Sequence, residues 1–294
     1  MVTFRPMTEA DVPAAVAAFD TGFIAMLARH SLPVTGNTIA DERRRQDRTR
    51  HFLSTDPAGS WVAEGDDGTV VGMSQSFVRE DYWMLSQLGM LPQVQGRGMG
   101  RELLRRALSY GDPHSPGTIQ CSRDPKAMAL YSSFGFVLHP VVAAWGAMRP
   151  GAVERPGDVV RLEPDQVTER ELAVVTAIDR KVRGSARTPD IVSMLTQPGT
   201  RLLLDAERGY AVATDDRVVT LGAHDEESAT RVLKAMLAEA PAGETIEINW
   251  LTSAQQWAIR VVVEAGIELQ PYGPVMVRGM DGPPSPYIPS GGYG

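Results

Sequence analysis

The chain has 294 residues, 43% of them hydrophobic and 22% charged, which suits a protein that buries ordinary cores and, at roughly 100–200 residues per domain, predicts two domains. A single cysteine, Cys121, excludes a disulfide framework within the chain, and five histidines without ligand-type spacing give no reason to expect a metal site. The net charge of −7 argues against nucleic acid or an anionic membrane as partner, and neither the N-terminus nor the short apolar run Val141 to Met148 reads as a signal or a membrane span, so the chain reads as cytoplasmic.

In chain order, Thr3 to Pro6 predicts a strand, and Thr8 to Asp11 starts a helix that runs to about Phe19. Asp41 to Leu53 is a charged second helix. Ser60 to Glu64 and Thr69 to Val78 predict strands around the turn Gly65-Asp66-Asp67-Gly68, and Trp83 to Leu91 a third, mostly apolar strand. A glycine-rich loop, Gln95 to Gly100, leads into a helix from Arg101 to about Tyr110 with Leu103, Leu104, Ala107 and Leu108 on one face. Thr118 to Ser122 is a strand, Lys126 to Phe134 a helix, and Phe136 to Met148 closes the unit with one or two strands.

Residues 149–157 are a linker by their Pro and Gly content. Behind it the order repeats. Val159 to Leu162 is a strand, Glu171 to Val182 and Ile191 to Leu195 are helical, and Arg201 to Leu204 and Tyr210 to Ala223 are strands. Ser228 to Glu239, Thr245 to Leu251 and Ala254 to Ala265 give helix, strand and helix. Asp281 to Gly294 is an irregular Pro/Gly tail. The expected organisation is therefore 1–148, a linker 149–157, a second domain 158–280 and a tail 281–294.

The sharpest chemical signal is Gln95-Gly96-Arg97-Gly98-Met99-Gly100 between a buried strand and an amphipathic helix. Glycines let backbone N–H groups approach a ligand closely, and a helix N-terminus adds a favourable field for negative charge. The loop reads as a pyrophosphate cradle. A P-loop would need Gly-Lys-Ser/Thr, which Met99-Gly100-Arg101 lacks. A dinucleotide fingerprint starting at Gly96 would need glycine where Arg101 stands. Coenzyme A fits the pattern Q-x-x-G-x-G. Arg97, Arg101, Arg105 and Arg106 flank the cradle as phosphate partners or as plain solvated charges.

With this loop, and with Asp124-Pro-Lys-Ala127-Met-Ala-Leu-Tyr131-Ser-Ser-Phe-Gly135-Phe136 behind it, the chain resembles the GNAT (GCN5-related N-acetyltransferase) superfamily. That family often shows N-x-x-A-x-x-x-Y-x-x-x-G-F here; only Asp124 departs, and Asp caps a helix as Asn does. The opening Phe4 to Asp11 also looks like the family's first strand and helix start. The resemblance implies an α/β fold with mixed sheets flanked by helices, and acyl transfer from acetyl-CoA or another acyl-CoA to the amine of a small molecule. It implies cofactor contacts at Leu88, Met90, Gln95, Gly96, Arg97, Gly98, Met99, Gly100, Arg101 and Asp124. Strand N–H groups near Leu88 to Met90 would polarise the thioester, and Tyr131 would protonate the leaving thiolate.

The family's strand glutamate is missing: Trp83 to Gly89 holds no carboxylate or histidine. A base comes from elsewhere, with Glu80 and Asp81 as weak candidates, or water relays the proton through Ser86 or Gln87, or the amine arrives deprotonated. A lone strand cysteine such as Cys121 reads as core. The apolar segment Phe19 to Leu32 reads as pocket wall or as core. Rival functions are acyl-CoA binding without turnover, and O-acylation or decarboxylation on the same fold.

The second half resembles the degenerate domain of tandem GNAT proteins. Shifted by 131 residues, Val262 stands for Tyr131; shifted by 129, Asp225, Glu227 and Ala229 stand for Gly96, Gly98 and Gly100. The first 150 residues hold 15 basic and 15 acidic side chains, so the remaining 14 basic and 21 acidic carry the whole −7. One acyl-CoA site per chain is expected, in a monomer or homodimer.

Overall fold

The computed structural model describes residues 2–31 and 39–294, with backbone alone at 39 and 40. The chain forms two compact units, Met1–Ile119 with Asp124–Gly135 and Gly294, and Gln120–Arg123 with Phe136–Tyr293.

The first unit runs β1 (Val2–Pro6), α1 (Val12–Arg29), α2 (Ile39–Thr55), β2 (Ser60–Gly65), β3 (Val70–Arg79), β4 (Tyr82–Met90), α3 (Met99–Leu108), β5 (Gly117–Gln120, of which 117–119 belong here) and α4 (Pro125–Ser132). Its strands lie in the order β1-β2-β3-β4-β5, antiparallel except for the parallel pair β4–β5. In one core cluster Val12, Ala15 and Val16 of α1 pack with Val62, Val70 and Met73; in another, Met99 and Leu103 of α3 pack with Ala63 and Met90. Buried polar groups also tie α3 down. The Ser74 hydroxyl donates to the Leu103 carbonyl (3.1 Å), and Ser76 Oγ and Trp83 Nε1 donate to the Ala107 carbonyl (2.9 and 3.1 Å). The sheet thus accepts three polar side chains at a helix interface without leaving them unpaired.

Helix α1 runs to Arg29, ten residues past the expected end near Phe19. Nothing between Phe19 and Arg29 breaks a helix except Gly22, and a single glycine costs only about 1 kcal/mol. Among the described residues, the helical stretch Glu9–Arg29 is the one helix long and apolar enough, by length and composition, to cross a membrane, where the sequence points to Val141 to Met148. Its Val12, Ala15 and Val16 are fully enclosed. Leu32 lies outside the described residues.

The second unit contains β6 (Val137–Ala147), β7 (Val160–Leu162), α5 (Glu169–Arg183), α6 (Thr188–Leu195), β8 (Arg201–Asp205), β9 (Gly209–Ala213), β10 (Val218–Ala223), α7 (Glu226–Glu239), β11 (Thr245–Leu251), α8 (Gln256–Ala265), β12 (Leu269–Arg278) and β13 (Tyr287–Ile288). From β7 to β12 the order strand, two helices, three strands, helix, strand, helix, strand repeats that from β1 to β6. Strand β6, expected to close the first unit, pairs antiparallel with β12 along one edge and β11 along the other. Its inward Ala144 sits in the core that α7 and α8 line, which draws the strand into this unit. The proline-rich stretch 149–157 is pinned rather than loose: Arg149 donates to the carbonyl of Glu264 and Arg155 pairs with Glu239.

A fully enclosed ion pair sits between α5 and α6. Arg187 Nε donates to Asp179 Oδ2 (3.0 Å) with both side chains at most 1% exposed. Its Nη2 donates to Tyr210 Oη (3.0 Å) and Thr220 Oγ1 (2.7 Å), and Tyr210 Oη donates to Asp179 Oδ1 (2.5 Å). Buried charges survive only when their lone pairs and protons are satisfied together. Tyr210→Phe is therefore expected to cost about 1–3 kcal/mol in urea unfolding, the usual penalty for orphaning buried partners. A change within error would show that the phenol is not part of this network.

Candidate functional site

The site is built where β4 leaves the sheet. Its pairing with β5 runs only from Trp83↔Gly117 to Leu85↔Ile119, and its register with β3 shifts beside Ser86, the extra residue of a bulge. Beyond that point the Leu91 N–H donates to the Val71 carbonyl (2.9 Å) on β3. Amides of successive strand residues face opposite edges, so the N–H groups of Met90 and Leu88 face away from β3. That is the edge along which a pantetheine arm could add like a strand.

Helix α1 crosses the same place. A Cβ on Gly22 would stand 2.2 Å from the Met90 carbonyl oxygen, and one on Gly89 would stand 2.6 Å from the Phe19 ring. Only glycine permits that approach. Phe19 stacks on Phe23 at 6.0 Å, so the apolar segment of α1 covers the end of β4. The sequence reading missed Gly22 and Gly89, although a lone glycine inside an apolar helix or strand signals close backbone approach.

Past Met90, the turn Pro92–Val94 leads to Gln95 and the cradle. Gly96 and Gly98 both have φ +81, and Gly98 is the N-cap of α3, which begins at Met99, two residues before the expected start at Arg101. No side chain caps this helix. The first-turn N–H groups of Met99, Gly100 and Arg101 therefore have no side-chain cap, and beside them lies a depression lined by Phe4, Arg97, Gly98, Met99, Arg101, Glu102 and Arg105. Gly100 has a packing role, since a Cβ there would press on Met90 Cε at 3.1 Å.

The four arginines divide. Arg105 and Arg106 both pair with Glu102, and Arg106 lies over the rings of Phe4 (5.4 Å) and Trp61 (4.7 Å). Arg101 donates to Ser133 Oγ (3.1 Å) and lies over Phe134 at 5.3 Å, bridging α3 to α4. Arg97 is exposed, with no side-chain partner among the described residues. Arg97 and Arg101 are thus the cations available to a diphosphate.

Asp124 caps α4, accepting from the Lys126 N–H at 2.9 Å. Two residues at the end of α1, unforeseen in the sequence, converge on it: Arg29 Nη1 at 3.9 Å and His30 Nε2 at 4.0 Å. Arg29 Nη2 also donates to Gln95 Oε1 (3.2 Å), and Gln95 Nε2 donates to the Met90 carbonyl (3.2 Å). A polar chain thus links the end of β4, the cradle and the start of α4. Tyr131 lies buried on α4, two turns beyond Asp124. The helix start without a side-chain cap, two left-handed glycines, β4 amides turned away from β3 and adjacent cations fit an acyl-CoA.

Glu80, Asp81 and Gln87 do not reach this site. Glu80 and Asp81 form the turn at the opposite end of β4, so at ~3.3 Å per residue they stand roughly 20 Å from Leu88. Gln87 is enclosed, its Nε2 directed to Thr49 Oγ1 (2.9 Å) and Gln75 Oε1 (3.4 Å). Cys121 is buried in the second unit, its Sγ donating to the Ser122 carbonyl.

Residues 26–136 match the family described as the acetyltransferase (GNAT) family. A proposed acetyltransferase from Pyrococcus horikoshii shares the fold over 100% of this chain and 96% of its own, at 20% identity and a TM-score of 0.76. A tandem GNAT protein from the clavulanic acid biosynthesis pathway aligns over 94% of this chain and 98% of its own, at 17% identity and TM-score 0.58. A GCN5-related N-acetyltransferase from Sphaerobacter thermophilus aligns over 94% and 95%, at 12% and 0.56. No curated protein matches by sequence.

Proposed function

Starting from a first unit that carries a GNAT-family acetyltransferase domain over residues 26–136, in a chain with the tandem GNAT fold, we propose that the protein transfers an acetyl group from acetyl-CoA to the amine of a small molecule. The uncapped start of α3, with Gly96 and Gly98 in the left-handed region beside the free edge of Leu88 and Met90, carries this reading. The diphosphate would rest on the N–H groups of 98–101 with Arg97 and Arg101, and the pantetheine arm would follow β4 past Asp124.

In this reading the amine nitrogen attacks the thioester carbon while both substrates are held together, so proximity supplies much of the rate. The C–N bond forms and the carbonyl oxygen takes the negative charge, facing the β4 amides. The C–S bond then breaks, and the thiolate takes its proton from the Tyr131 hydroxyl. The proton lost by the amine leaves through water; Ser86, at the bulge, is the polar residue of β4 placed to order that water. Thiol release from acetyl-CoA against a panel of small amines tests the proposal. The missing carboxylate on β4 favours one alternative, binding without turnover, and stoichiometric binding with no thiol release from any amine would establish it.

One acetyl-CoA per chain is expected. In the second unit Asp225 accepts from the Ser228 N–H at 2.8 Å and caps α7, with Glu226 and Glu227 in the first turn, so the donors and the dipole that would hold a diphosphate are already satisfied. Titration calorimetry or native mass spectrometry reads the count. Two equivalent sites would overturn it.

A further inference from the structure

In the first unit, eight residues (91–98) separate β4 from α3. In the second, only His224 and Asp225 separate β10 from α7. The cradle has been deleted, but the strand edge beside it has not. Strand β10 begins beside β11 in the parallel sense, with the bridge Arg217↔Glu247 and the Glu247 N–H donating to the Asp216 carbonyl (2.7 Å), as β4 begins beside β5. Further along, where β4 leaves Leu88 and Met90 open, β10 is covered. Strand β13 pairs with it antiparallel, Leu221↔Ile288 and Gly222↔Tyr287, and the Ala223 N–H donates to the Pro286 carbonyl (3.1 Å).

The covering segment is seated by side chains as well. Ile288 belongs to the core cluster that contains Leu221 and Val218. Thr220 Oγ1 donates to the Ile288 carbonyl (2.9 Å). The Tyr287 ring lies under the guanidinium groups of Arg183 (5.6 Å) and Arg187 (5.2 Å), and Arg187 Nη1 donates to the Tyr293 carbonyl (3.3 Å). Gln255 Nε2 donates to the Pro284 carbonyl (2.9 Å), and Tyr293 Oη is 3.0 Å from Ser193 Oγ. A stretch with the composition of a loose tail is held over its whole length.

We propose that residues 284–293 are an internal peptide ligand of the second unit, lying in the cleft that takes a pantetheine arm in the first. The comparison rests on the cofactor reading of β4 given above. The degenerate unit is then a peptide-binding domain of the strand-addition type. Its backbone donors come from β10, and its selectivity comes from an aromatic seat under two arginines and an aliphatic seat beside Leu221. The ligand is a Pro-Tyr-Ile segment carried by the chain itself.

The test is a chain lacking residues 284–294, with the peptide Pro-Ser-Pro-Tyr-Ile-Pro-Ser-Gly-Gly-Tyr-Gly added back. The expected result is a lowered unfolding midpoint that the peptide restores saturably, with the same peptide bearing Tyr287→Ala and Ile288→Asp at least about tenfold weaker. Acetyl-CoA should still bind once and should not restore the midpoint. An unchanged midpoint with no peptide binding, or a second acetyl-CoA bound by the shortened chain, overturns the proposal. Should the shortened chain not fold, full-length Ile288→Asp carries the test. Hydrogen exchange at the Ala223 amide should rise at least about tenfold while the α3 amides stay as they were; unchanged protection at Ala223 overturns the proposal. These readouts need no catalysis, so a protein that releases no thiol would sink the acetyl-transfer reading and leave this one standing.

Discussion

Tyr131→Phe is expected to lower kcat about 10²–10⁴-fold, the span a positioned general acid supplies, with acetyl-CoA affinity nearly unchanged. The reason lies in what the hydroxyl does and what the ring does. Tyr131 is 6% exposed on α4, and phenylalanine keeps the buried ring. In the proposed reaction the hydroxyl acts when the C–S bond breaks, and contributes little to binding the intact thioester. Losing an interaction made only in the transition state lowers kcat and kcat/KM together. The second unit supplies an internal control. With Gly266 matched to Gly135, Val262 takes the same place on α8, fully buried in its core. A helix at this point of the repeat therefore packs without a phenol, so packing does not account for the tyrosine. Steady-state kinetics with calorimetry reads the split, and an unchanged kcat would return Tyr131 to the core.

Most of this arrangement was legible before the structure, because its causes are local. A glycine loop between an apolar strand and an amphipathic helix, and a capped helix with tyrosine one turn before Phe-Gly-Phe, are patterns of adjacent residues. Two features depend on partners distant in sequence. Strand β6 reads as the end of the first half, but its register with β11 and β12, residues 245–278, decides where it belongs. Residues 281–294 carry the composition of an irregular tail, yet Tyr287 and Ile288 are 2% and 1% exposed; only the vacant edge of β10 explains why proline and glycine sit in order there. The alignment of the halves also misled. It set Asp225 and Glu227 against Gly96 and Gly98, whereas the second unit lacks the loop and holds Glu227 within α7. The helix nevertheless caps itself, with Asp225 as its N-cap. Arg29 was unreadable for a different reason: a single basic residue at the end of an apolar helix is ordinary, and its reach to Gln95 and Asp124 exists only in three dimensions.

Gly98→Glu is expected to weaken acetyl-CoA binding at least about 10³-fold and to leave the first unit folded. Gly98 has φ +81 and ψ −6, and a Cβ there would meet nothing within 4 Å. Steric conflict with the protein is absent, so any side chain pays only the left-handed conformation, about 1–2 kcal/mol. A carboxylate at the N-terminus of α3 regains part of that through the helix dipole. The cofactor meets a different situation. The space into which the Cβ would project is the space over the uncapped N–H groups, and a carboxylate there both fills it and competes for the donors. It also faces the diphosphate: two unit charges 4 Å apart repel by about 4 kcal/mol at an effective dielectric of 20, which is the origin of the 10³. A graded series separates the contributions. Gly98→Asn tolerates the left-handed region without charge and should lose no more than about tenfold. Gly98→Ala adds conformational cost without a polar group and should lower the unfolding midpoint more than it lowers affinity. For Gly98→Glu the deficit should shrink with added salt, because part of it is Coulombic in a solvent-exposed cradle. Calorimetry at two ionic strengths reads all three variants. Near-native affinity for Gly98→Glu would remove the diphosphate from this loop, and with it the assignment of Leu88 and Met90 as the edge that receives the acyl arm.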